Sequence, residues 1–408
     1  ALLRAGGIDT SIDPVALNTY MSFHSVVPAP NTMLQGVRKL PPATVRTYFP
    51  DGRQDSWNYW NVRVGQGVDD IPAAFEDIKA ELLDTLRRAV RRRMVADVPV
   101  GVLLSGGLDS SLIVGLLAEQ GQEGLNTFSV GFEAVGDAEG NEFRYSDLVA
   151  AQFGTEHHKL EISTQAMLDN LPATIAAMSE PMVSHDNVGF FLLAREVSKH
   201  LKVVQSGQGA DEVFGGYHWY PPMLESDDAV ADYLKAFGDR DFREYQQVVA
   251  PAWVTEDFAR AFVETRFGTD EGVTPVDKAL HLDTTTMLVE DPVKRVDNMT
   301  MAYGLEARVP FLDHEVVEFA ASIPARFKVG EGGKYILKEA AREIIPGEVI
   351  DRPKGYFPVP ELTYIRGPVY DYVQDTLNSS SALNRGLFNR DYVDMLLEAP
   401  EQHITPLN

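Results

Sequence analysis

Ser105-Gly106-Gly107-Leu108-Asp109-Ser110-Ser111 follows the apolar run Val98 to Leu104 and leads into a helical pattern, Ser110 to Gln120, closed by Gly121. Strand, Gly/Ser turn and helix in immediate succession make a ligand loop with a physical rationale. Two glycines let the backbone approach a ligand closely and turn its N–H groups inward. The helix N-terminus adds unpaired amides and the positive end of a dipole. Ser105, Ser110 and Ser111 add hydroxyls, and Asp109 offers a hard oxygen to a magnesium ion that screens phosphates. No Gly-Lys-Ser/Thr follows, which excludes a Walker A loop. The plainer reading is an ordinary Ser/Gly turn capped by Asp or Ser, and the flanking strand and helix weigh against it.

Further strands are predicted at Thr127 to Phe132, His157 to Ile162 and Leu201 to Gln205, with helical stretches at Ser146–Phe153 and Asn187–His200. Strands alternating with helices imply an α/β fold built on a doubly wound parallel sheet. In such sheets ligands sit beyond the carboxyl ends of the strands. Ser206-Gly207-Gln208-Gly209-Ala210-Asp211-Glu212-Val213-Phe214-Gly215-Gly216-Tyr217 repeats the logic of the first loop, because it follows an apolar strand and sets Asp211 where a second magnesium ligand belongs. A Gly-rich connector with surface acids is the alternative. The strand end Phe128-Ser129-Val130-Gly131-Phe132 offers Val130 to an adenine ring, although a buried strand explains it equally well.

Before this core, apolar residues Phe75, Ile78, Leu82, Leu86, Val90 and Met94 recur at helical spacing within Ile71 to Met94. The arginines on that helix (Arg87, Arg88, Arg91, Arg92, Arg93) read as a solvated face and favourable charge at a helix C-terminus rather than a phosphate patch. Residues 1–62 do not read as a free-standing domain: they hold a short helix (Pro14 to Ser22), a strand (Thr44 to Tyr48) and a Trp57–Trp60 aromatic cluster. Residues 65–70 read as a linker, and beyond Asp227 the pattern is mostly helical.

The 408 residues are 44% hydrophobic, enough for a sizeable core, and carry a net charge of −24, which argues against a nucleic-acid partner. With no cysteine there is no disulfide, thiolate-metal site or Cys nucleophile. No apolar run approaches the roughly 18 residues of a membrane span, so a soluble, cytoplasmic protein without a membrane partner is expected. His157, His158, His185 and His218 lack the spacing of a metal site and read as satisfied polar residues.

The loop at 105–111 resembles the pyrophosphate loop of ATP pyrophosphatases, which cleave ATP between its α- and β-phosphates. Together with 206–217 and the run Asn298-Met299-Thr300-Met301-Ala302-Tyr303-Gly304-Leu305-Glu306-Ala307-Arg308-Val309-Pro310-Phe311-Leu312-Asp313, it resembles the synthetase domain of the asparagine synthetase family. Residues 1–64, with Arg38-Lys39-Leu40-Pro41-Pro42, are similar to the tail of that family's N-terminal-nucleophile glutaminase domain, and 65–408 to its ATP-dependent synthetase domain. The resemblance implies an adenine nucleotide alpha hydrolase-like sheet with added helices. It implies a chain that starts inside the glutaminase domain and uses free ammonia on its own, glutamine serving the complete enzyme.

Carried over position by position, the resemblance places Leu103 and Val130 at adenine, Ser206 and Gly207 at AMP, and Ser105, Gly106, Gly107 and Ser110 in the phosphate loop. Asp109 and Asp211 become magnesium ligands. Lys354 matches a lysine that stabilises charge building up on pyrophosphate and on the tetrahedral centre, and a fixed cation aimed there is a large catalytic contribution. Lys334 is a second candidate cation and Glu306 a further catalytic candidate. The bland reading of either lysine is a surface charge. Gln208 departs from the family, where asparagine synthetases carry glutamate and β-lactam-forming relatives tyrosine; glutamine does neither acid nor base chemistry near neutral pH.

The stretches Glu180 to Asn187, Tyr217 to Pro222 and Glu290 to Asp297 form the expected acceptor wall, and with Gln208-Gly209-Ala210 they most resemble the N-acetylglutaminylglutamine amidotransferase type. The implied reaction uses ATP and Mg2+ to adenylate a small-molecule carboxylate; ammonia then displaces AMP. Aspartate as acceptor, an intramolecular β-lactam or macrocycle former, a tRNA-modifying enzyme and a catalytically silent nucleotide-binding protein are the rivals. A homodimer is admitted but not specified.

Overall fold

The computed structural model describes residues 2–65, 74–133, 143–184, 186–352 and 367–403. The chain starts with α1 (Leu2–Ala5), α2 (Pro14–Ser22) and a hairpin of β1 (Thr44–Tyr48) and β2 (Gln54–Asn58). Helix α2 begins where the Asp13 carboxylate accepts from the amides of Val15 and Ala16, with Pro14 in the first turn. The hairpin strands pair only with each other and lie largely exposed. The rest of this segment joins the main core through Phe23, Val26, Val62 and Val64. It is also tied down by Asn18 Oδ1, which accepts from the Ala259 amide at 2.8 Å. Its division from the rest is therefore not a gap in packing.

Next come α3 (Phe75–Arg92), β3 (Val100–Leu103), α4 (Leu108–Glu119), β4 (Asn126–Phe132), α5 (Phe143–Phe153), β5 (Glu156–Ile162), α6 (Thr164–Ala177), α7 (Asp186–Val197), β6 (Val203–Gln205) and the short α8 (Ala210–Phe214). Then follow α9 (Ala229–Phe237), α10 (Phe242–Val248), α11 (Phe258–Phe267), α12 (Pro275–Leu282), two π-helical turns (Asp283–Met287 and Val289–Val293), α13 (Lys294–Met301) and β7 (Glu306–Arg308). After β7 come α14 (His314–Ser322), α15 (Ala325–Val329), α16 (Tyr335–Ala341) and α17 (Gly347–Ile350), and helices at Gly367–Leu377, Ser380–Arg385 and Arg390–Glu398 end the described chain.

The central sheet runs β5-β4-β3-β6-β7, all parallel. Strand β3, whose four residues are all buried, lies in the middle. The chain winds outward through β4 and β5, then returns to lay β6 and β7 on the other side. Between β3 and β6 the winding reverses, and that switch point opens a crevice at the carboxyl ends of the two strands. Helices cover both faces: α3, α4 and α5 on one, α6, α7 and α13 on the other. Helix α4 is buried nearly all round, which is why its sequence is apolar on every side rather than striped.

Strand β7 is not legible in the sequence, where everything beyond Asp227 reads as helix. Three residues, Glu306 to Arg308, are too few for a period-2 signal; they become a strand because Val203, Val204 and Gln205 offer a free edge. Among the described residues no helix is long and apolar enough to cross a membrane.

Candidate functional site

The loop after β3 is braced from within. Ser110 Oγ accepts from the Ser105 amide at 3.2 Å, Ser105 Oγ and Ser110 Oγ lie 3.1 Å apart, and the Gly107 amide donates to Ser105 Oγ at 3.3 Å. Gly106 has a left-handed φ of +78°, and a Cβ there would stand 2.6 Å from the Ser146 amide nitrogen. Only glycine fits. Gly107 is the N-cap of α4 and Asp109 lies in the helix's first turn.

The loop after β6 closes on this one. A Cβ on Gly207 would lie 2.9 Å from Asp109 Cβ and 3.0 Å from the Ser110 amide nitrogen, so the two strand-end loops touch at a position where a side chain cannot be accommodated. Ser206 is buried beside it, Gln208 is half-buried, and Asp211 stands in the first turn of α8. Leu103 is buried at the end of β3. Val130 is half-buried and follows Ser129, whose hydroxyl donates to the Leu104 carbonyl. Ser105, Gly106, Gly107, Asp109, Ser110, Ser206, Gly207, Gln208 and Asp211 thus lie in two loops that meet, with Leu103 and Val130 near the carboxyl ends of the adjoining strands β3 and β4.

Lys334 joins them from the far end of the chain. Its Nζ lies 2.7 Å from Asp109 Oδ2 and 3.0 Å from Asp211 Oδ1. The residue is 7% exposed, which sets aside the surface-charge reading. Burial alone would lower its pKa, but the charges of Asp109 and Asp211 outweigh it and raise the ammonium well above its ordinary value. Lys334 N-caps α16 in a left-handed conformation, at the end of a turn containing Gly332 and Gly333. Two carboxylate oxygens within 3.0 Å of one cation make a pair of hard donors facing each other. That donor set fits a magnesium ion, which is held by one or two carboxylates plus phosphate oxygens rather than by an all-protein cage. Among the described residues no cluster of three or more His, Cys, Asp or Glu side chains could hold a metal.

Glu212, the neighbour of Asp211, is fully buried and accepts from Tyr217 Oη at 2.7 Å. Burial, reinforced by the charge of Asp211, pushes its carboxyl up to about 7. It holds the back of the loop rather than facing the crevice. Tyr217 stacks on Trp219 at 4.3 Å, and the buried carboxylate of Asp283 accepts from Tyr220 at 2.6 Å, from Trp219 at 3.2 Å and from Tyr233. The aromatic stretch after the loop is thereby pinned to the first π-helical turn.

The segments expected to form the acceptor wall do meet. Glu180 Oε2 and Glu290 Oε2 each contact both Lys39 Nζ and Lys294 Nζ, at 2.8 and 3.0 Å for Glu180 and 2.5 Å for both Glu290 pairs. This closed, neutral square of four charges joins the first segment of the chain to the second π-helical turn and α13. Burial alone would raise Glu180, yet Lys39 and Lys294 hold it below the ordinary carboxylate value. Arg295 pairs in the same layer with Asp291 at 2.6 Å and with Asp186. Nothing in the sequence marks Lys39 as a partner of residues 180–294; only proximity does.

Other expected residues fall elsewhere. Glu306 opens β7 opposite Val203, at the amino end of the sheet, and pairs with Arg308 at 2.7 Å. It is exposed and away from the crevice, so the catalytic expectation for Glu306 is not met by its position. Lys354 and His185 lie outside the described residues. Of the arginines on and just after α3, Arg87, Arg88, Arg92 and Arg93 are ion-paired rather than simply solvated: Arg93 reaches Asp313 at 2.6 Å and Arg92 reaches Glu315 at 2.5 Å. His157 bonds to the hydroxyls of Thr127 (2.8 Å), Ser129 and Ser146 (both 3.3 Å). Burial lowers its pKa, in keeping with a neutral hydrogen-bonded ring.

Residues 81–407 match the family model for asparagine synthase. "Asparagine synthetase [glutamine-hydrolyzing] 1" of Bacillus subtilis (strain 168) is 31% identical over 96% of this chain and 66% of its own length. A "Putative asparagine synthetase [glutamine-hydrolyzing]" of Mycobacterium tuberculosis (strain ATCC 25618 / H37Rv) is 32% identical over 93% of this chain and 63% of its own length. Against a solved NH3-dependent NAD synthetase from Campylobacter jejuni the TM-score is 0.24 at 15% identity, covering 42% of this chain and 81% of that one. The chain thus spans 63–66% of the length of these two curated relatives. By the match across residues 81–407, it belongs to the asparagine synthase family.

Proposed function

We propose that the chain forms amides at the expense of ATP: it adenylates a carboxylate with release of pyrophosphate, and ammonia then displaces AMP. The observation that carries this reading is the meeting of the two strand-end loops at Gly207 and Asp109, with Asp109 and Asp211 aimed at one cation position beside the N-terminus of α4. The amides at Gly106 to Asp109 would cradle the phosphates, and Leu103 and Val130 would flank the adenine. Asp109 and Asp211 would hold magnesium, which screens the pyrophosphate as it leaves. Lys334 neutralises the aspartate pair and orients both carboxylates. Lys354 would stabilise the oxyanion of the ammonia adduct, by family resemblance alone.

Ammonia is a good nucleophile and needs no strong base, which suits an amide side chain at Gln208. In the complete enzyme ammonia would come from glutamine, with residues 1–64 as the tail of a glutaminase domain and 65–408 as the synthetase domain. Two acceptors are in play. The resemblance of residues 180–187, 208–210, 217–222 and 290–297 favours N-acetylglutaminylglutamine, whereas the names carried by the curated relatives favour aspartate. The test is an acceptor screen with ammonia and MgATP, scoring AMP and pyrophosphate release for aspartate against blocked glutaminyl dipeptides. Turnover with either acid identifies the substrate. Absence of ATP–pyrophosphate exchange with every carboxylate tried would reject adenylation altogether.

A further inference from the structure

We propose that Lys334 is an exchangeable occupant of the metal position: its ammonium and a divalent cation compete for Asp109 and Asp211, and a strained turn at Glu331 to Lys334 sets the balance between them. This rests on the metal reading of the two aspartates and adds to it a competitor built into the chain.

One oxygen decides the competition. The side chains of Asp109 and Asp211 are 20% and 24% exposed, against 9% for Lys334, so the carboxylates face the open side and the lysine reaches them from behind. Asp109 Oδ1 is buried. A cation entering from the crevice therefore meets Oδ2, the oxygen that Lys334 Nζ contacts at 2.7 Å. Magnesium sits about 2.1 Å from its oxygen ligands. A dication and an ammonium on one carboxylate oxygen would stand within about 5 Å of each other, where like charges repel strongly in a partly buried site. Each therefore excludes the other.

The backbone under the lysine is strained. Glu331, Gly332, Gly333 and Lys334 have φ of 49°, 77°, 96° and 54°, four consecutive residues on the left-handed side. Glycine takes such angles freely, but in Glu331 and Lys334 the Cβ crowds the following carbonyl, and that strain persists only where the surroundings over-determine it. For Lys334 the two carboxylates do so. The turn is packed on one side: a Cβ on Gly216 would stand 2.4 Å from Lys334 Cε and 2.1 Å from Asp211 Oδ1, so the lysine stem threads a slot that only glycine leaves. On the other side Glu331 is exposed, and a Cβ on Gly332 would meet no atom of the described residues within 4 Å. Below the turn, α16 is anchored by the buried Ile336, Leu337, Ala340 and Ala341. Release of the ammonium thus relaxes the turn and leaves the helix in place.

The experiment is titration of the 408-residue chain with Mn2+ alone, followed by loss of the free-ion electron paramagnetic resonance signal. It compares the wild type with Lys334→Met, Glu331→Gly and Glu331→Gln. Lys334→Met keeps the stem and removes the competitor, and should bind Mn2+ at least about tenfold more tightly than the wild type. A lysine that only orients the carboxylates predicts the opposite sign. Glu331→Gly takes strain out of the lysine-held form and should weaken Mn2+ by about fivefold. Glu331→Gln loses the same exposed charge but keeps the strain, and should stay within about twofold. The Glu331 variants retain the buried lysine, so their result stands even if Lys334→Met fails to fold. Equal or weaker Mn2+ affinity in Lys334→Met, or equal affinity in Glu331→Gly and Glu331→Gln, overturns the inference and leaves the metal reading standing. If neither the wild type nor Lys334→Met binds Mn2+, the metal reading itself falls.

Discussion

Lys334 Nζ lies 2.7 Å from Asp109 Oδ2, joining the first turn of α4 to a residue 225 positions later in the chain. The same ammonium reaches Asp211 at 3.0 Å, so one buried cation keeps two carboxylates from facing each other unscreened. Replacing Lys334 with Ala removes that cation and leaves two half-buried like charges facing each other. Stability should fall by about 3 kcal/mol. Millimolar Mg2+ should restore part of the melting temperature in the variant, with little effect on the wild type. Thermal unfolding with and without MgCl2 checks this, and a variant that melts like the wild type in its absence would refute the pairing.

Gly207 sits where the two strand-end loops meet, 2.9 Å from Asp109 Cβ by its missing Cβ. A methyl group there pushes the loops apart without entering the hydrophobic core. Gly207→Ala should leave the far-ultraviolet circular dichroism unchanged and weaken ATP binding by about tenfold or more. Titration with a non-hydrolysable ATP analogue decides. Unaltered affinity would mean the nucleotide does not depend on this approach.

Glu212 should mark the pH dependence of folding. Its folded pKa, raised by burial and then by Asp211, stands at about 7 against an ordinary 4.5. An acid that holds its proton more tightly when folded contributes its full stability below about 4.5. That contribution is lost as pH rises towards 7 and does not change further above it. The gap corresponds to about 3 kcal/mol. Urea unfolding between pH 4.5 and 8 should show this fall in the wild type, and Glu212→Gln should flatten it. A Gln variant with the wild-type slope would assign the titration to another group, such as Asp283, which burial raises to about 6.

The four-charge square of Lys39, Glu180, Lys294 and Glu290 ties residues 1–64 to the second π-helical turn. Lys39→Met leaves the buried Glu290 and the half-buried Glu180 sharing Lys294 alone. It should cost about 3 kcal/mol, with little dependence on salt, because buried pairs are poorly screened. The double variant Lys39→Met/Glu290→Gln should recover part of that loss. Denaturant titration of the four members of the cycle tests it, and strictly additive losses would dissolve the square into independent surface pairs.

The strand–loop–helix at 98–120 was legible because its signals are local. An apolar run, two glycines and a following helix lie within about twenty residues, and each constrains the next. The extents agree closely: the strands predicted at 127–132 and 157–162 are found at Asn126–Phe132 and Glu156–Ile162, and the helix at Pro14–Ser22 is found with those bounds. Where tertiary contact makes the element, reading was coarser. The stretch beyond Asp227 reads as mostly helix, without marking the two π-helical turns, Asp283–Met287 and Val289–Val293, within it. They exist where Asp283 takes its aromatic donors and where Glu290 and Asp291 reach Lys294 and Arg295.

The sequence by itself determined the alternation of strands and helices from β3 to β6 and the loop chemistry, because both are written in residues that are neighbours along the chain. Which cation stands between Asp109 and Asp211 and which lysine completes the square at Glu180 were decided only in three dimensions. Charges attract through space, whereas a sequence records only order along the chain. No local signal pairs Lys334 with Asp109 and Asp211 or Lys39 with Glu180 and Glu290, and it is the burial around them that turns them into structure.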